Sequence, residues 1–333
     1  MRPTAPREVV SAVSFTSARR DITGMKVLVV GGSGFIGTNL CAELKRRGHD
    51  VTALSRSPSS DDLPKGVNKV MGNVREYGSI REAFEGKDAV FNLVALSPLF
   101  KPSGGDKMHD EIHRKGTEHV VRAAEKHEID RFVQMSALGA DPDGPTAYIR
   151  SKGAAEEIVT ESVLDYTIFR PSVVFGEGGE FVSFTKLLAP PYVSALPGGG
   201  KTRFQPIWVG DLAPMLADAI EDEKHVGQIY EIGGPDKLTL AEIARLIHDS
   251  DGRSTTVVPV PMGLAKIGLS IGGLVPGFPM GKDQYRSLQF DNVTDDNDVD
   301  AFGVGVGELT TLKAYLNGRA GDVGGGSAAA TSD

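Results

Sequence analysis

Tyr148-Ile149-Arg150-Ser151-Lys152 sets a phenol and an amine four residues apart. On a helix that spacing puts both side chains on one face. Lys152, as a cation, can depress the phenol's pKa, and Tyr148 can then give or take a proton at a substrate oxygen. The pattern is common by itself, so its meaning depends on what lies around it.

A second constellation is Gly31-Gly32-Ser33-Gly34-Phe35-Ile36-Gly37. It holds Gly-x-Gly-x-x-Gly at 32, 34 and 37, and a three-residue glycine repeat at 31, 34 and 37. A chain leaving a strand through a tight turn needs one position free in φ. A backbone that approaches a pyrophosphate closely can carry no side chain, and Gly37 lets the helix pack on the sheet. The phosphates then meet unpaired N–H groups at a helix N-terminus. Context makes the pattern specific: it follows an apolar strand, Lys26–Val30, and opens an amphipathic helix, Phe35–Arg47. We read a dinucleotide site. An NAD site usually carries an acid about 20 residues after the glycines, at the end of the second strand. Here the chain reads Leu54-Ser55-Arg56-Ser57, and Arg56 suits a 2′-phosphate. NADP(H) is therefore expected ahead of NAD(H). With a nicotinamide present, Lys152 would also hold its ribose hydroxyls while a hydride moves.

The elements that must position these residues follow from periodicity. Expected strands are Lys26–Val30, Val51–Leu54, Asn68–Met71, Ala89–Val94, Arg131–Met135 and Tyr166–Phe169. Helical patterns run over Phe35–Arg47, Ser79–Phe84, Lys107–Lys126 and Ala147–Glu161. Such alternation means an α/β Rossmann fold, a doubly wound parallel sheet with helices on both faces. After Pro171 the chain is punctuated by Pro and Gly. Gln205–Val209, Gln228–Ile232 and Thr255–Pro259 read as strands, and Asp211–Glu221 and Thr239–Ser250 as helices. The expected organisation is an extension over 1–24, a nucleotide-binding domain over 25–171, a smaller interleaved substrate lobe over 172–317 and a disordered tail over 318–333.

Net charge is −8, which argues against a nucleic-acid partner. The single cysteine, Cys41, excludes an internal disulfide or cysteine metal cluster and reads as a core residue. No apolar run reaches the roughly 18 residues of a membrane span. Met262–Phe278 comes nearest, and reads as part of the lobe or as a surface for a membrane, a hydrophobic partner or an apolar substrate. A cytoplasmic protein is expected, with attachment at a membrane face as the alternative. No metal site is expected. His109 and His113 have helical spacing but no third ligand, and read as a solvated or subunit-facing surface. Asp295-Asp296-Asn297-Asp298-Val299-Asp300 lacks the glycine and glutamate of an EF-hand and reads as a solvated acidic turn.

With Ser136-Ala137-Leu138-Gly139-Ala140, Arg170-Pro171-Ser172-Val173-Val174-Phe175-Gly176, Asp283-Gln284 and Asp291-Asn292-Val293 added, the chain resembles the extended or atypical short-chain dehydrogenases/reductases from Met25 to Leu316. Within them it is similar to the epimerase/dehydratase-like group that contains the nucleotide-binding accessory subunit of mitochondrial complex I. The resemblance implies that Asn73 and Val74 lie by the adenine, Val94 and Ala95 line the cofactor, and Pro171 to Val174 border the nicotinamide. His113 stands where relatives carry Asn. Catalytic members also carry a Ser or Thr hydroxyl just after the fifth strand. Here Ala137 takes that register and Ser136 lies one residue earlier, so either Ser136 substitutes or the triad is incomplete. Two functions follow as expectations. One is an oxidoreductase or epimerase acting on a carbonyl, sugar-nucleotide or quinone-related substrate, with Phe181, Phe184, Phe204 and Trp208 as cleft residues. The other is a dinucleotide-binding accessory or assembly protein with a protein partner.

Overall fold

The computed structural model describes residues 24–57, 63–261 and 282–325. All but the last residue of the expected 1–24 extension, the segment Met262–Phe278 and the tail beyond Gly325 lie outside them. The expected strands form one parallel sheet: β1 (Lys26–Val30), β2 (Asp50–Ser55), β3 (Asn68–Met71), β4 (Ala89–Asn92), β5 (Arg131–Met135), β6 (Tyr166–Pro171) and β7 (Gln228–Ile232). Their order is β7-β6-β5-β4-β1-β2-β3. The order reverses between β1 and β4, and ligands of doubly wound sheets bind outside the carboxyl ends of the strands at such a point.

Both faces of the sheet are covered. Val27, Val29, Val51, Ala53 and Phe91 point into one core, with Leu40 and Leu44 of α1 (Phe35–Arg46). Leu28, Val30, Leu54 and Val90 point into the other, with Val120 and Ala124 of α2 (Lys115–Lys126) and Val159 of α3 (Ala147–Thr160). This alternation is the two-residue period of a strand buried on both sides, and it makes these runs apolar throughout. α2 is continuous with Lys107–His109 through one π-helical turn, Asp110–Arg114.

The remaining chain builds a third core on α4 (Glu180–Leu188) and α6 (Leu240–Ser250), while α5 (Val209–Glu221) packs back on the first. Short strand pairs join the lobe: Val174–Phe175 with Ile207–Trp208, Arg203–Phe204 with Leu238–Thr239, and Tyr192–Pro197 with Thr255–Val260. The backbone continues into α7 (Lys282–Ser287) and α8 (Leu312–Gly325), so helix extends past the expected tail boundary at 318.

The acidic run at 295–300 is only partly solvated. Asp295 is exposed and paired with Lys237 at 2.6 Å. Asn297 Oδ1 and Asp298 Oδ2 accept the amides of Gly233 and Glu231 at 3.0 and 2.7 Å, which satisfies the outer edge of the sheet at β7. No group of side chains among the described residues could hold a metal ion. Nor is any described helix long and apolar enough to cross a membrane.

Candidate active site

The glycine turn leaves β1 with Gly31 at φ +87°, a conformation closed to most side chains. A Cβ on Gly32 would stand 2.6 Å from that of Ala53, and one on Gly37 would stand 2.3 Å from the Gly31 carbonyl oxygen. Helix and strand therefore approach as closely as backbone permits. Thr38 N–H donates to Gly34 O at 2.8 Å. The N–H groups of Phe35, Ile36 and Gly37 precede that bond and have no intrahelical acceptor. α1 has neither a side-chain cap nor an acid in its first turn. This end of the helix is built for an external anion, and a dinucleotide pyrophosphate fits it. Cys41 is buried beneath the turn, where burial pushes its thiol up to about 12.

Tyr148 and Lys152 stand on α3, whose start is fixed from two sides. Thr146 Oγ1 accepts Ile149 N–H at 3.2 Å, and Asp283 Oδ2 on α7 accepts Ala147 N–H at 2.7 Å. Gly153 lets the helix press on the loop after β5, since a Cβ there would lie 2.3 Å from the Asp141 carbonyl carbon. Lys152 is buried and its Nζ donates to Met135 O at 2.9 Å. Burial pulls its amine down to about 8, against the pull of the Glu156 carboxylate. Arg170 Nε donates to Glu156 at 2.9 Å. Lys152 Nζ lies 6.0 Å from the centre of the Tyr148 ring. Tyr148 is half-buried, and its enclosure pushes the phenol above its ordinary range, the reverse of the depression expected from Lys152. Ser136 is buried, and its Oγ has no hydrogen-bond partner among the described residues.

His109 and His113 correct the expectation of a solvated face. Both are buried, with rings set edge-on to Tyr148 at 5.7 and 5.3 Å. Leu96 N–H donates to His113 Nε2 at 2.9 Å. That nitrogen must therefore be the acceptor, so the ring proton sits on Nδ1 and is given to Ser151 Oγ at 2.9 Å. Ser151 in turn donates to Tyr148 O at 2.8 Å. Burial, then the charges of Lys152 and His109, hold His113 well below the usual histidine range. It is a neutral strut between the loop after β4 and the tyrosine helix.

A cavity of about 500 Å³ joins these parts. Gly31, Gly34, Phe35, Ile36, Gly37, Ala95, Ser136, Tyr148, Lys152, Pro171 and Val174 all lie in its wall, with Phe181, Phe184 and Phe204. Gly32 and Ser33 sit in the turn outside that wall. Trp208 packs against Tyr315 instead. Arg56 is exposed just past β2, and Val94 packs against the second core. Val74 is buried there too. The Asn73 amide is engaged within its own turn, by Arg75 N–H at 3.2 Å and by Glu76 at 3.2 Å.

Several wall residues lie outside the sequence motifs. Leu96, Leu99, Ser287, Leu288 and Phe290 come from the loop after β4 and from around α7. Asn292 accepts Ser172 Oγ–H at 2.7 Å and Val173 N–H at 3.2 Å through Oδ1, and so latches the stretch after β6.

A family model described as NAD(P)H-binding matches residues 31–185. The mitochondrial NADH dehydrogenase [ubiquinone] 1 alpha subcomplex subunit 9 of Arabidopsis thaliana is 29% identical over 304 residues, 85% of this chain and 74% of that protein. The chloroplastic divinyl chlorophyllide a 8-vinyl-reductase of Cucumis sativus is 28% identical over 274 residues, 77% of this chain and 64% of that one. Among solved structures, the UDP-glucose 4-epimerase of Thermus thermophilus in complex with NAD superposes with a TM-score of 0.68 at 20% identity, over 91% of this chain and 100% of its own. That likeness speaks for the fold. The NAD(P)H-binding match thus spans the glycine turn, Tyr148 and Lys152, and over most of its length the chain is similar to the NADH dehydrogenase subunit and the vinyl-reductase.

Proposed function

We propose that the chain is an NADP(H)-dependent oxidoreductase acting at a carbonyl carbon. The observation that carries this reading is the single cavity shared by the glycine turn, Tyr148 and Lys152. The bound dinucleotide would supply or accept the hydride. Tyr148 would give its proton to the carbonyl oxygen, or take one from an alcohol in reverse. Its high pKa keeps it protonated at neutral pH, as a proton donor must be. Lys152, an amine titrating at about 8, would anchor the ribose hydroxyls and help stabilise charge left on Tyr148. Arg56 would pair with the 2′-phosphate, which favours NADP(H) over NAD(H). Asn73, Val74, Val94, Ala95, Pro171 and Val174 would border the adenine and nicotinamide ends.

The test is substrate-dependent NADPH oxidation, after the nucleotide that co-purifies with the protein has been identified. Tyr148→Phe should lower kcat/KM by about 10²–10⁴ with NADPH affinity unchanged. A second reading has an observation of its own. Ser136 Oγ is enclosed, Ala137 follows it, and a relative that matches 85% of this chain is a subunit of mitochondrial NADH dehydrogenase. An accessory protein that keeps a dinucleotide for stability would fit those facts. If Tyr148→Phe leaves the cellular role intact, that second reading replaces the first.

A further inference from the structure

The cavity has a charge pattern that bears on what can enter it. Among the described wall residues only Lys152 and Glu180 are charged. Lys152 lies at the tyrosine end, its amine on the Met135 carbonyl. Glu180 is an exposed carboxylate. Away from the glycine turn the wall is mostly apolar, with Leu96, Leu99, Phe181, Phe184, Leu288 and Phe290 prominent and uncharged groups such as Ser97, Gln284 and Ser287 between them. Phe184 is braced edge-on by Phe100 at 5.3 Å. Two cations close in sequence to wall residues lie outside the wall: Arg286, which pairs with Asp283 at 3.3 Å, and Lys201. Lys201 lines a separate depression of about 420 Å³ that shares Leu288 alone with the cavity, and Asp291 faces the same depression. Arg203 is already paired with Asp291 at 2.7 Å.

A substrate carrying a diphosphate would bring negative charge against apolar side chains and a carboxylate. Burying a charge without a partner is costly, whereas an apolar surface is stabilised there by leaving water. We infer that the substrate is an uncharged, largely apolar carbonyl compound, and not a nucleotide sugar. This rests on the redox reading above. The carbonyl is reduced to an alcohol, its carbon taking a hydride and its oxygen the Tyr148 proton, while the reduced dinucleotide is oxidised. The few polar groups in the wall, Tyr148 among them, orient the carbonyl, and the phenylalanines and leucines hold the rest.

Calorimetric titration of the NADPH-saturated protein tests this with two probes, 1-tetralone and UDP-glucose. Tetralone should bind at least tenfold more tightly, with a negative heat-capacity change on binding. Phe184→Leu should weaken tetralone several-fold and leave NADPH affinity unchanged. UDP-glucose binding as tightly as the ketone, or failure of both to bind, overturns the inference. NADPH absorbance, read in parallel, separates the two proposals. Tetralone bound without oxidation of NADPH sinks the redox reading alone, and UDP-glucose binding as tightly as a tetralone that is reduced sinks the substrate class alone.

Discussion

The carboxylate of Asp283 accepts the backbone N–H of Ala147 at 2.7 Å, one residue before the candidate proton donor. The two are 136 residues apart in sequence, and the bond ties α7 to the first turn of α3. A negative group there satisfies an orphan donor and complements the helix dipole. Asp283→Ala should cost about 1–2 kcal/mol of stability, as lost helix caps do. It should also lower kcat with little change in NADPH affinity. Asp283→Asn keeps an acceptor and should recover most of the kcat. Denaturant titration and steady-state kinetics on both variants check this, and equal kcat losses in the two would refute a positioning role.

The local parts of the site were legible because their physics is local. Gly31 to Gly37 must follow a strand and open a helix, and Tyr148 and Lys152 need one helical turn. The apolar runs of β1 and β4 mark a sheet covered on both faces, because each strand buries both of its sides. Asp283 and Asn292 act on α3 and the stretch after β6 across long sequence separations, and periodicity carries no such information. His113 is a different case, because its signal was present. His109, His113, Thr117, Val120 and Ala124 form one stripe at helical spacing, and all are buried. A stripe at that spacing marks the buried face of a helix even where histidines stand in it.

Lys152 is costly for the fold. Its amine pKa falls from 10.5 to about 8 on burial. The unfolded chain therefore binds a proton that the folded chain gives up between those values. Folding stability from this group is present above pH 10.5 and lost as pH falls to about 8, so at pH 7 the charge is a burden of about 3 kcal/mol. Lys152→Met should raise Tm at pH 7, with a gain that shrinks toward pH 10, while activity disappears. Thermal melts across that range decide it. A gain that does not depend on pH would show that packing, and not the charge, is responsible.

Arg56 is exposed, so its replacement should not disturb the fold. Arg56→Glu removes the planar fork and supplies an acceptor for ribose hydroxyls. The ratio of NADPH to NADH affinity should fall at least tenfold, with Tm nearly unchanged. Fluorescence titration with both nucleotides measures the ratio. If it stays the same, the choice of cofactor is made elsewhere.

His113 should give the protein a specific acid sensitivity. Its folded pKa lies well below the ordinary 6.5, because the ring is buried beside Lys152 and His109. In the unfolded chain it protonates near that ordinary value. Stability is therefore complete above pH 6.5 and falls as pH drops below it, by up to about 1.4 kcal/mol per pH unit for one proton. Carboxylates such as Glu43 and Asp110, whose partners hold them low, add their own losses at lower pH. A difference measurement isolates the histidine. His113→Asn keeps an acceptor for Leu96 N–H and a donor for Ser151, but binds no proton. Its Tm relative to the unaltered chain should rise steadily from pH 7 to pH 5, because only the unaltered chain pays for a neutral imidazole. A constant difference over that interval would mean that the ring carries its proton in the folded state. The Leu96 amide would then have lost its acceptor, and the strut between the loop after β4 and the tyrosine helix would be broken.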